Sequence, residues 1–361
     1  MPAAHPPRIE TSRGGNAAVS RVALVAGAGG IIGKALLEEI ARVPDWRGLA
    51  LSRKGSDVSV DLTDARAVQN ASAAARETTH LFYAAYKPGG GLGEEDAVNS
   101  AMLRNLLDGL EAVGAPLERV VLYQGAKVYG VHLGPVPSPF YEDESSRPIG
   151  PNFYFSQENE LRRRAEAGGP AWAILRPDVV LGDAAGNAMN IATVIGAYAA
   201  ITKADGAAFR FPGSTEVYDR CLAQFTDAHA LARASLWAAT ADAAQGQAFN
   251  YVHAPFRWRR VWNTVASRFG LETGEPIPFS LAAHMPALEP VWRRIAGQLV
   301  EPDFARAVRW GFGDFVFGSA FDVLSDMTKI RRAGFVETVD PAQALVSAIE
   351  RQIAERVLPQ L

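Results

Sequence analysis

A glycine-spaced turn near the start of the chain constrains the fold more than any other feature. The apolar residues 22–26 predict a strand, which runs directly into Gly27-Ala28-Gly29-Gly30-Ile31-Ile32-Gly33 and then a helical pattern. A glycine cluster alone also suits an ordinary strand–helix turn. Between a strand and a helix, however, Gly27 permits the tight turn, Gly30 lets a pyrophosphate approach, and Gly33 lets the helix pack closely. The free N–H groups of the helix N-terminus attract phosphate oxygens, so the segment predicts a dinucleotide-binding site.

The end of the second predicted strand bears on which nicotinamide cofactor binds. An NAD-binding protein usually places Asp or Glu there, whereas this chain has Ser52-Arg53-Lys54. Two cations and a hydroxyl suit a 2′-phosphate, because Arg forms charge-assisted hydrogen bonds with phosphate oxygens. The segment therefore favours NADPH, with a solvated loop as the alternative interpretation. Asp61 and Leu62, after the third strand, are expected to meet the adenine.

The first half of the chain alternates short β-branched runs with helical patterns, which predicts a parallel sheet flanked by helices. Further strands are expected at residues 49–52, 58–60, 80–84, 119–124 and 172–176. Helices are expected at residues 31–41 and 96–113, with another beginning near Tyr154. The glycine-rich residues 88–93 are expected to form a flexible pocket rim.

After Arg176 the pattern becomes mostly helical. Short strands are expected at residues 209–211 and 248–251, and helices at residues 191–201, 227–239, 257–269, 281–298, 302–310 and 341–356. The predicted fold class is α/β, a Rossmann-type doubly wound parallel sheet with a smaller, mostly helical C-terminal substrate lobe. We expect residues 1–20 to be a disordered leader, 21–180 the NADP-binding Rossmann domain, and 181–361 mainly the substrate-binding lobe, with some segments returning to the Rossmann domain.

Composition and charge argue against several kinds of partner. The 361 residues are 48% hydrophobic and 21% charged, and a formal charge of −3 gives no electrostatic case for nucleic acid or an anionic membrane. No stretch reaches about 18 uninterrupted apolar residues, so we expect no membrane span. The single cysteine, Cys221, cannot form an internal disulfide, which favours a cytoplasmic location. The histidines show no spacing typical of a metal site.

The expected catalytic pair departs from a common pattern. Short-chain dehydrogenases usually carry Tyr-x-x-x-Lys on one helix, so that both side chains face the nicotinamide, and a Ser after the preceding strand. Here Tyr154 opens a predicted helix, but the residue four places on is Glu158. The preceding strand continues into Gly125-Ala126-Lys127-Val128-Tyr129-Gly130, with Gly125 where the Ser would stand. We predict that Tyr154 and Lys127 form the pair, because both lie where strand ends face the cofactor crevice.

Several sequence blocks, within roughly residues 22–270, carry a family resemblance. They are Leu122-Tyr123-Gln124-Gly125-Ala126-Lys127-Val128-Tyr129-Gly130, Pro139-Phe140-Tyr141-Glu142-Asp143, Pro151-Asn152-Phe153-Tyr154, Leu175-Arg176-Pro177, Phe211-Pro212-Gly213-Ser214, Gly246-Gln247-Ala248-Phe249-Asn250 and Phe256-Arg257-Trp258. On these blocks the chain resembles the progesterone 5β-reductase/iridoid synthase-like enone reductases, which are extended short-chain dehydrogenases. The pairing of Gly-x-Lys-x-Tyr with Asn-Phe-Tyr is the specific part, and an acidic residue at Glu158 is also typical of that family.

The resemblance implies an NADPH-dependent enzyme that reduces the C=C bond of an α,β-unsaturated carbonyl compound. Tyr154 would hydrogen-bond the enolate oxygen. Lys127 would favour negative charge there, directly or by holding Tyr154 and the cofactor ribose, and a nearby cation is expected to lower the pKa of the phenol. The resemblance further implies a small apolar enone or enal as substrate and a homodimer.

Further site residues are expected around this pair. The expected cofactor-binding residues are Gly27, Gly30, Ile31, Ile32, Gly33, Ser52, Arg53, Lys54, Asp61, Leu62, Tyr83, Ala84, Gln124, Pro177, Val179 and Val180. The expected substrate-pocket residues are Tyr86, Phe153, Met189 and Tyr198. Trp258 is a further candidate, and core packing is the favoured alternative for Phe153, Met189, Tyr198 and Trp258. Tyr86 and Asp178 stand where the family often has other residues, which leaves the shape of the substrate open.

Two other functions stay open at this point. A carbonyl reductase or a sugar-nucleotide epimerase would use the same fold, but the missing Tyr-x-x-x-Lys argues against both. A non-catalytic NADPH-binding regulator would not need both Tyr154 and Lys127. Tyr154 and Lys127 also have simpler interpretations. Tyr154 would be an aromatic residue of the core, and Lys127 a lysine on the surface. The sequence names neither the substrate nor the proton donor to its α-carbon.

Overall fold

Strands and helices alternate through the first half of the chain. The computed structural model describes residues 21–146, 150–187 and 189–361, so the leader expected at residues 1–20 lies outside the described residues. The strands are β1 (Arg21–Ala26), β2 (Trp46–Ser52), β3 (Val58–Ser59), β4 (His80–Tyr83), β5 (Arg119–Tyr123), β6 (Ala171–Arg176), β7 (Val180–Leu181), β8 (Phe209–Arg210), β9 (Leu222–Ala223), β10 (Thr226–Asp227), β11 (Gln247–Asn250), β12 (Phe256–Arg257) and β13 (Thr273–Gly274). The helices are α1 (Ile31–Ile40), α2 (Ala65–Ala71), α3 (Leu92–Ala112), α4 (Phe153–Glu166), α5 (Ile191–Asp205), α6 (Thr215–Asp219), α7 (Ala228–Thr240), α8 (Trp258–Phe269), α9 (Leu281–His284), α10 (Glu289–Ile295), α11 (Phe304–Ala307), α12 (Trp310–Phe317), α13 (Thr328–Arg332) and α14 (Pro341–Ala354).

One parallel sheet organises this part of the chain. Within the described residues its seven strands lie in the order β11-β6-β5-β4-β1-β2-β3, and every neighbouring pair is parallel. The strand order reverses between β1 and β4, and ligands of such sheets bind in the crevice at the carboxyl ends of the strands beside this reversal. The predicted α/β Rossmann-type sheet is therefore confirmed.

Helices cover both faces of the sheet, because successive side chains of a strand point to opposite faces. On β1, Ala23 and Val25 pack in a core that includes residues of α1 and α7. Leu24 and Ala26 pack in a second core with residues of α2, α3 and α4. The helix that carries Tyr154 therefore lies on the same side of the sheet as α3.

A third core holds the C-terminal lobe together. In α5 every residue from Ile191 to Thr202 is buried, which confirms the packed helix predicted for this Ala-rich segment. The absence of a side chain at Gly196 lets the C-terminal segment approach, since an added Cβ would lie 2.3 Å from Leu358 Cδ1. The ring of Trp262 stacks on Phe209 at 4.1 Å, and its indole N–H donates to the Phe209 carbonyl.

Segments of the C-terminal half also complete the sheet. β11 pairs with β6, and α7 packs against α1. This arrangement supports the expectation that part of residues 181–361 returns to the Rossmann domain, while the boundary at residue 180 stays a prediction. Within the described residues, no helix combines the length and the apolar character needed to cross a bilayer.

The structure differs from the predicted helices at three places. The helix expected at residues 281–298 is divided into α9, a 3₁₀ turn at Met285–Leu288 and α10, because Pro286 lacks the N–H that a continuous helix requires. The helix expected at residues 302–310 ends early, since Val308 is extended (φ −131°), and α12 follows it. By contrast, α3 is longer than expected at its N-terminus. It begins at Leu92, inside the segment expected to be a flexible rim.

Candidate functional site

The turn after β1 has the geometry that a dinucleotide-binding turn requires. Gly27 has φ +87°, and an added Cβ there would lie 2.7 Å from the carbonyl carbon of Ala84 at the end of β4. An added Cβ at Gly33 would lie 2.3 Å from the Gly27 carbonyl oxygen. Gly30 precedes α1 without a side-chain cap, so in the described structure the first N–H groups of this helix, from Ile31 and Ile32 onward, are open to an anion.

The predicted 2′-phosphate residues lie beside this turn. The N–H groups of Gly27 and Ala28 both donate to the Leu51 carbonyl at 3.1 Å, which joins the turn to the end of β2. Arg53 and Lys54 follow directly and are exposed. The hydroxyl of Ser52, the third predicted residue of this set, is engaged within its own loop, where it donates to the Lys54 carbonyl at 2.9 Å.

The predicted adenine segment is ordered by local hydrogen bonds. The Thr63 N–H and hydroxyl donate to Asp61 Oδ1 at 2.9 and 2.7 Å, and these bonds hold the pKa of Asp61 below its ordinary value. Leu62 is buried, and its carbonyl accepts a hydrogen bond from Asn105 Nδ2 at 2.8 Å. The backbone here is therefore anchored to α3.

Two residues predicted to bind the cofactor have fully buried side chains. Tyr83 is 1% exposed and packs in the core on the α3 side of the sheet. Gln124 is 2% exposed, and its amide donates to the Tyr154 carbonyl at 3.0 Å and accepts from Arg176 Nε at 2.8 Å. Ala84 borders the Gly27 turn directly. Gln124 thus acts behind the crevice, as a support for the helix that carries Tyr154.

Tyr154 lies in the first turn of α4, at the carboxyl edge of the sheet. Asn152 caps this helix by accepting the Tyr154 N–H at 3.0 Å, and its amide donates to the Lys127 carbonyl at 3.3 Å. An added Cβ at Gly125 would lie 3.1 Å from the Tyr154 hydroxyl oxygen. A serine side chain at this position would therefore reach the tyrosine, as the alignment with short-chain dehydrogenases predicts. Here the Gly125 N–H itself hydrogen-bonds the hydroxyl.

The surroundings of Tyr154 keep its phenol neutral. Burial raises the pKa of Tyr154 above its ordinary value, and the nearby carboxylates of Asp178 and Glu95 raise it further. The Gly125 hydrogen bond acts in the opposite direction. Lys127 is not among the groups that shift this pKa, so the lowering expected from a neighbouring cation is not found. The hydroxyl is suited to donate a hydrogen bond rather than to act as an anion.

Lys127 lies in the 3₁₀ turn Ala126–Tyr129 and meets a carboxylate that the sequence did not single out. Its Nζ is 3.8 Å from Glu95 Oε1 in the first turn of α3. The Tyr86 hydroxyl donates to the same oxygen of Glu95. The rings of Tyr86 and Phe153 are 5.7 Å apart, and those of Phe153 and Tyr154 are 4.4 Å apart. A short series of contacts therefore connects the two predicted catalytic residues.

Glu158, which replaces the usual lysine, is part of an ion-pair network behind the site. Its Oε2 accepts hydrogen bonds from Gln124 Nε2 at 3.1 Å and from the buried Arg176 at 3.4 Å. Its Oε1 accepts from Arg162 at 2.6 Å. The carboxylate thus neutralises buried positive charge on the side of α4 that faces the sheet.

The segment after β6 carries backbone strain at the crevice. Val179 has φ +39°, a conformation that a β-branched residue rarely adopts. Its N–H donates to Asp178 Oδ1 at 3.1 Å, and its carbonyl accepts from the Thr226 N–H at 3.3 Å. An added Cβ at Gly125 would lie 3.7 Å from the Pro177 carbonyl oxygen, which places this segment beside Tyr154. Strain of this kind is typical of functional sites.

A cavity opens next to this segment, with about 590 Å³ of empty space that includes space open to solvent. Its lining is mostly apolar and consists of Val131, Asp178, Val179, Cys221, Leu222, Ala223, Gln224, Trp258, Phe315, Val316, Ser319, Phe321 and Val323. Val131 and Val323 pack against a small buried cluster around Tyr129 and Phe140, and Tyr154 packs against the same cluster.

The predicted substrate-pocket residues are divided between several environments. Tyr86 is 39% exposed beside Glu95, and Phe153 is buried between Tyr86 and Tyr154. Tyr198 packs in the core of the lobe against Phe209, and Met189 is exposed. None of these four residues lines the cavity beside Val179.

Two acidic side chains near Tyr154 received no role from the sequence. The expected helix began at residue 96 and so left Glu95 outside it. The contact of Glu95 with Lys127 is made only in the tertiary structure. Asp178 was noted only as a departure from the family pattern. Burial raises the pKa of Asp178 to about 6, and the Val179 N–H offsets this only in part. A signal was present in the sequence, since an acid directly after Arg176-Pro177 lies at a strand end that faces the crevice.

The strand order, the glycine turn and the crevice define a Rossmann-fold protein of the dehydrogenase type, and solved structures share its fold. RMD from Pseudomonas aeruginosa, solved in complex with NADPH, has a TM-score of 0.67 at 14% identity, covering 93% of this chain and 98% of that chain. A GDP-L-fucose synthetase from Naegleria fowleri, solved with NADP, has a TM-score of 0.68 at 14% identity, covering 94% of each chain.

The sequence narrows this class to a family. Residues 48–359 match the PRISE-like Rossmann-fold domain, so the chain belongs to the PRISE-like family and the predicted resemblance is confirmed. The (S)-8-oxocitronellyl enol synthase of Camptotheca acuminata is 29% identical, over 94% of this chain and 93% of the relative. The 3-oxo-Delta(4,5)-steroid 5-beta-reductase of Arabidopsis thaliana is 28% identical over the same shares.

Restoring the usual lysine at position 158 should destabilise the protein. Glu158→Lys would place a second cation against Arg176, whose side chain is 2% exposed, so we expect a loss of about 3–5 kcal/mol in the free energy of unfolding. Chemical denaturation measures this loss. Glu158→Gln, which keeps an acceptor oxygen, should lose clearly less. A Lys variant as stable as the wild type would contradict the network described here.

The raised pKa of Asp178 predicts a stability difference that depends on pH. The unfolded carboxyl ionises near pH 4 and the folded one near pH 6, so the folded state loses stability as pH rises through this window. Asp178→Asn cannot ionise and keeps an acceptor for the Val179 N–H. Relative to the wild type it should gain at most about 3 kcal/mol between pH 4 and pH 8. Denaturation at both pH values tests this, with exposed Asp205→Asn as control; equal differences at both would refute it.

Proposed function

We propose that this protein is an NADPH-dependent reductase of the C=C bond of α,β-unsaturated carbonyl compounds. The observation that carries the proposal is the neutral Tyr154 hydroxyl at the crevice, beside Gly125 and without the Ser and Lys of carbonyl-reducing dehydrogenases. Two relatives of similar length support it, since one is named a steroid 5-beta-reductase and the other an enol synthase.

The described residues suit a nicotinamide dinucleotide phosphate. The backbone contacts at Gly27 and Gly33 leave room only for hydrogen, and the α1 N-terminus is open to the pyrophosphate. Arg53 and Lys54 would bind the 2′-phosphate, and Pro177 to Val180 would border the nicotinamide. When bound, NADPH would supply the hydride for the β-carbon of the substrate.

The residues of this chain would then manage the charge that develops on the substrate oxygen. Tyr154 donates a hydrogen bond to the enolate oxygen, and the preorganised hydroxyl favours charge that develops only in the transition state. Lys127 adds a cation to the same cluster, where Glu95 restrains it. The mostly apolar cavity favours a small or medium-sized apolar enone or enal.

The proposal is tested by NADPH oxidation with 2-cyclohexen-1-one, beside a saturated ketone, a simple aldehyde and UDP-glucose. We expect turnover with the enone. Tyr154→Phe should lower kcat by about 100-fold or more, because it removes the hydrogen bond to the enolate oxygen, while NADPH binding measured by fluorescence stays intact. Turnover of the ketone but not of the enone, or an unaffected Phe variant, would contradict the proposal.

The choice of cofactor rests on Arg53. Arg53→Ala should weaken NADPH binding by about tenfold or more, because a charge-assisted bond to the 2′-phosphate is lost, and should leave NADH binding nearly unchanged. Calorimetric titration of both cofactors measures the two affinities. Arg76→Ala, which removes an exposed arginine at the end of another helical segment, is the control. Equal losses for both cofactors would show that Arg53 does not recognise the phosphate.

A further inference from the structure

One carboxyl group stands out in the cavity next to Tyr154. Among the described residues that line the cavity, Asp178 is the only carboxylic acid. Most of the others are apolar. An acid in such a lining needs a reason, since burial of a carboxylate without a cation is unfavourable. Neither the sequence comparison nor the proposed roles of Tyr154 and Lys127 make use of it.

The position of Asp178 relative to Tyr154 is defined by Gly125. An added Cβ at Gly125 would touch both the Tyr154 hydroxyl, at 3.1 Å, and the carbonyl oxygen of Pro177, at 3.7 Å. Asp178 follows Pro177 directly, and its charge acts on the Tyr154 hydroxyl. The backbone before Asp178 and the Tyr154 hydroxyl therefore meet at Gly125, and the Asp178 carboxyl lies close enough to raise the pKa of that hydroxyl.

The backbone fixes one side of the Asp178 carboxyl. Oδ1 accepts the N–H of Val179, and the N–H of Asp178 donates to Thr226 Oγ1 at 3.2 Å. Within the described residues, no group donates a hydrogen bond to Oδ2. These hydrogen bonds accompany the strained φ of Val179, a conformation that only its surroundings can maintain. One carboxyl oxygen is thus engaged and the other is left for a molecule in the cavity.

We propose that Asp178 delivers the proton to the α-carbon of the substrate, which rests on the enone reduction proposed above. Reduction at the β-carbon leaves an enolate whose oxygen is bound by Tyr154. The O–H bond of the Asp178 carboxyl breaks, the electron pair of the enolate forms the new C–H bond, and the carbonyl is restored. Asp178 is left as a carboxylate and takes a proton from water before the next turnover.

The chemistry of the group suits this task. Because burial raises the pKa of Asp178 to about 6, the carboxyl is partly protonated near neutral pH. A general acid works best when its pKa lies near the working pH. The titratable groups around it are the Tyr154 hydroxyl on α4 and the Cys221 thiol across the cavity, and burial raises the pKa of both. Tyr154 already donates its hydrogen bond to the enolate oxygen, so Asp178 is the group that can protonate the α-carbon.

The test uses an enone whose α-carbon becomes a stereocentre. With 2-methyl-2-cyclohexen-1-one and NADPH, the wild-type protein should give one enantiomer of 2-methylcyclohexanone in clear excess, since a fixed acid protonates one face. Asp178→Asn should give a nearly racemic product, because water then protonates the released enol. Chiral gas chromatography of early samples measures the excess. An unchanged excess in the Asn variant, or a racemic wild-type product, would overturn the proposal.

Two further measurements separate the possible failures. Asp205→Asn, an exposed Asp-to-Asn change, should keep the wild-type excess. If Asp178→Asn does not fold by circular dichroism, Asp178→Ser, which also keeps an acceptor, takes the same test. A wild-type protein that reduces no enone contradicts the proposed function and this role together.

Without nicotinamide, the wild type should also exchange the α-protons of cyclohexanone with D₂O about 100-fold faster than Asp178→Asn. Equal rates would contradict the role of Asp178 alone.

Discussion

The site depends on the hydrogen bonds and ion pair of the buried Arg176 guanidinium. Its side chain is 2% exposed, and it donates to Gln124 Oε1 at 2.8 Å, to the Tyr129 hydroxyl at 3.2 Å and to Glu158 Oε2 at 3.4 Å. A buried charge is tolerated only when it is paired and its hydrogen bonds are satisfied. These partners come from the end of β5, the turn that carries Lys127 and the helix that carries Tyr154. Neutralising one cation therefore also holds these three segments together.

This arrangement explains why the lysine is absent from its usual place. A lysine at position 158 would lie against Arg176, so the helix position one turn after Tyr154 is reserved for an acid. The cation beside the crevice must then come from another element, and Lys127 lies in the turn after β5. Asn152 joins the two segments, because its side chain bonds both the Tyr154 N–H and the Lys127 carbonyl. The Gly-x-Lys-x-Tyr and Asn-Phe-Tyr blocks are therefore parts of one hydrogen-bonded unit.

The Rossmann half could be predicted because its signals are local. The Gly27 turn, the short strands and the helix that begins near Tyr154 each follow from spacing and residue type. The lobe was harder to predict. Trp310–Phe317 is short and contains two glycines, and Pro286 interrupts a pattern that otherwise continues. Tyr198 and Trp258 are both buried aromatic residues of the lobe, and only the fold shows that Trp258 alone of the two lines the cavity. Glu95 was missed because only the tertiary fold brings α3 to Lys127.

The charges around Tyr154 impose a condition on any chemistry at this site. Two acids, Asp178 and Glu95, raise the pKa of the phenol, and an enolate oxygen bound to that phenol would experience the same repulsion. Lys127 lies next to Glu95 and offsets its charge, but no cation of the described residues pairs with Asp178. Negative charge on the substrate is therefore favoured only while Asp178 is protonated. Formation of the enolate would in turn raise the affinity of Asp178 for its proton. In the proposed reaction the developing charge and the acid would thus be coupled, so the carboxyl would hold its proton until the α-carbon can accept it.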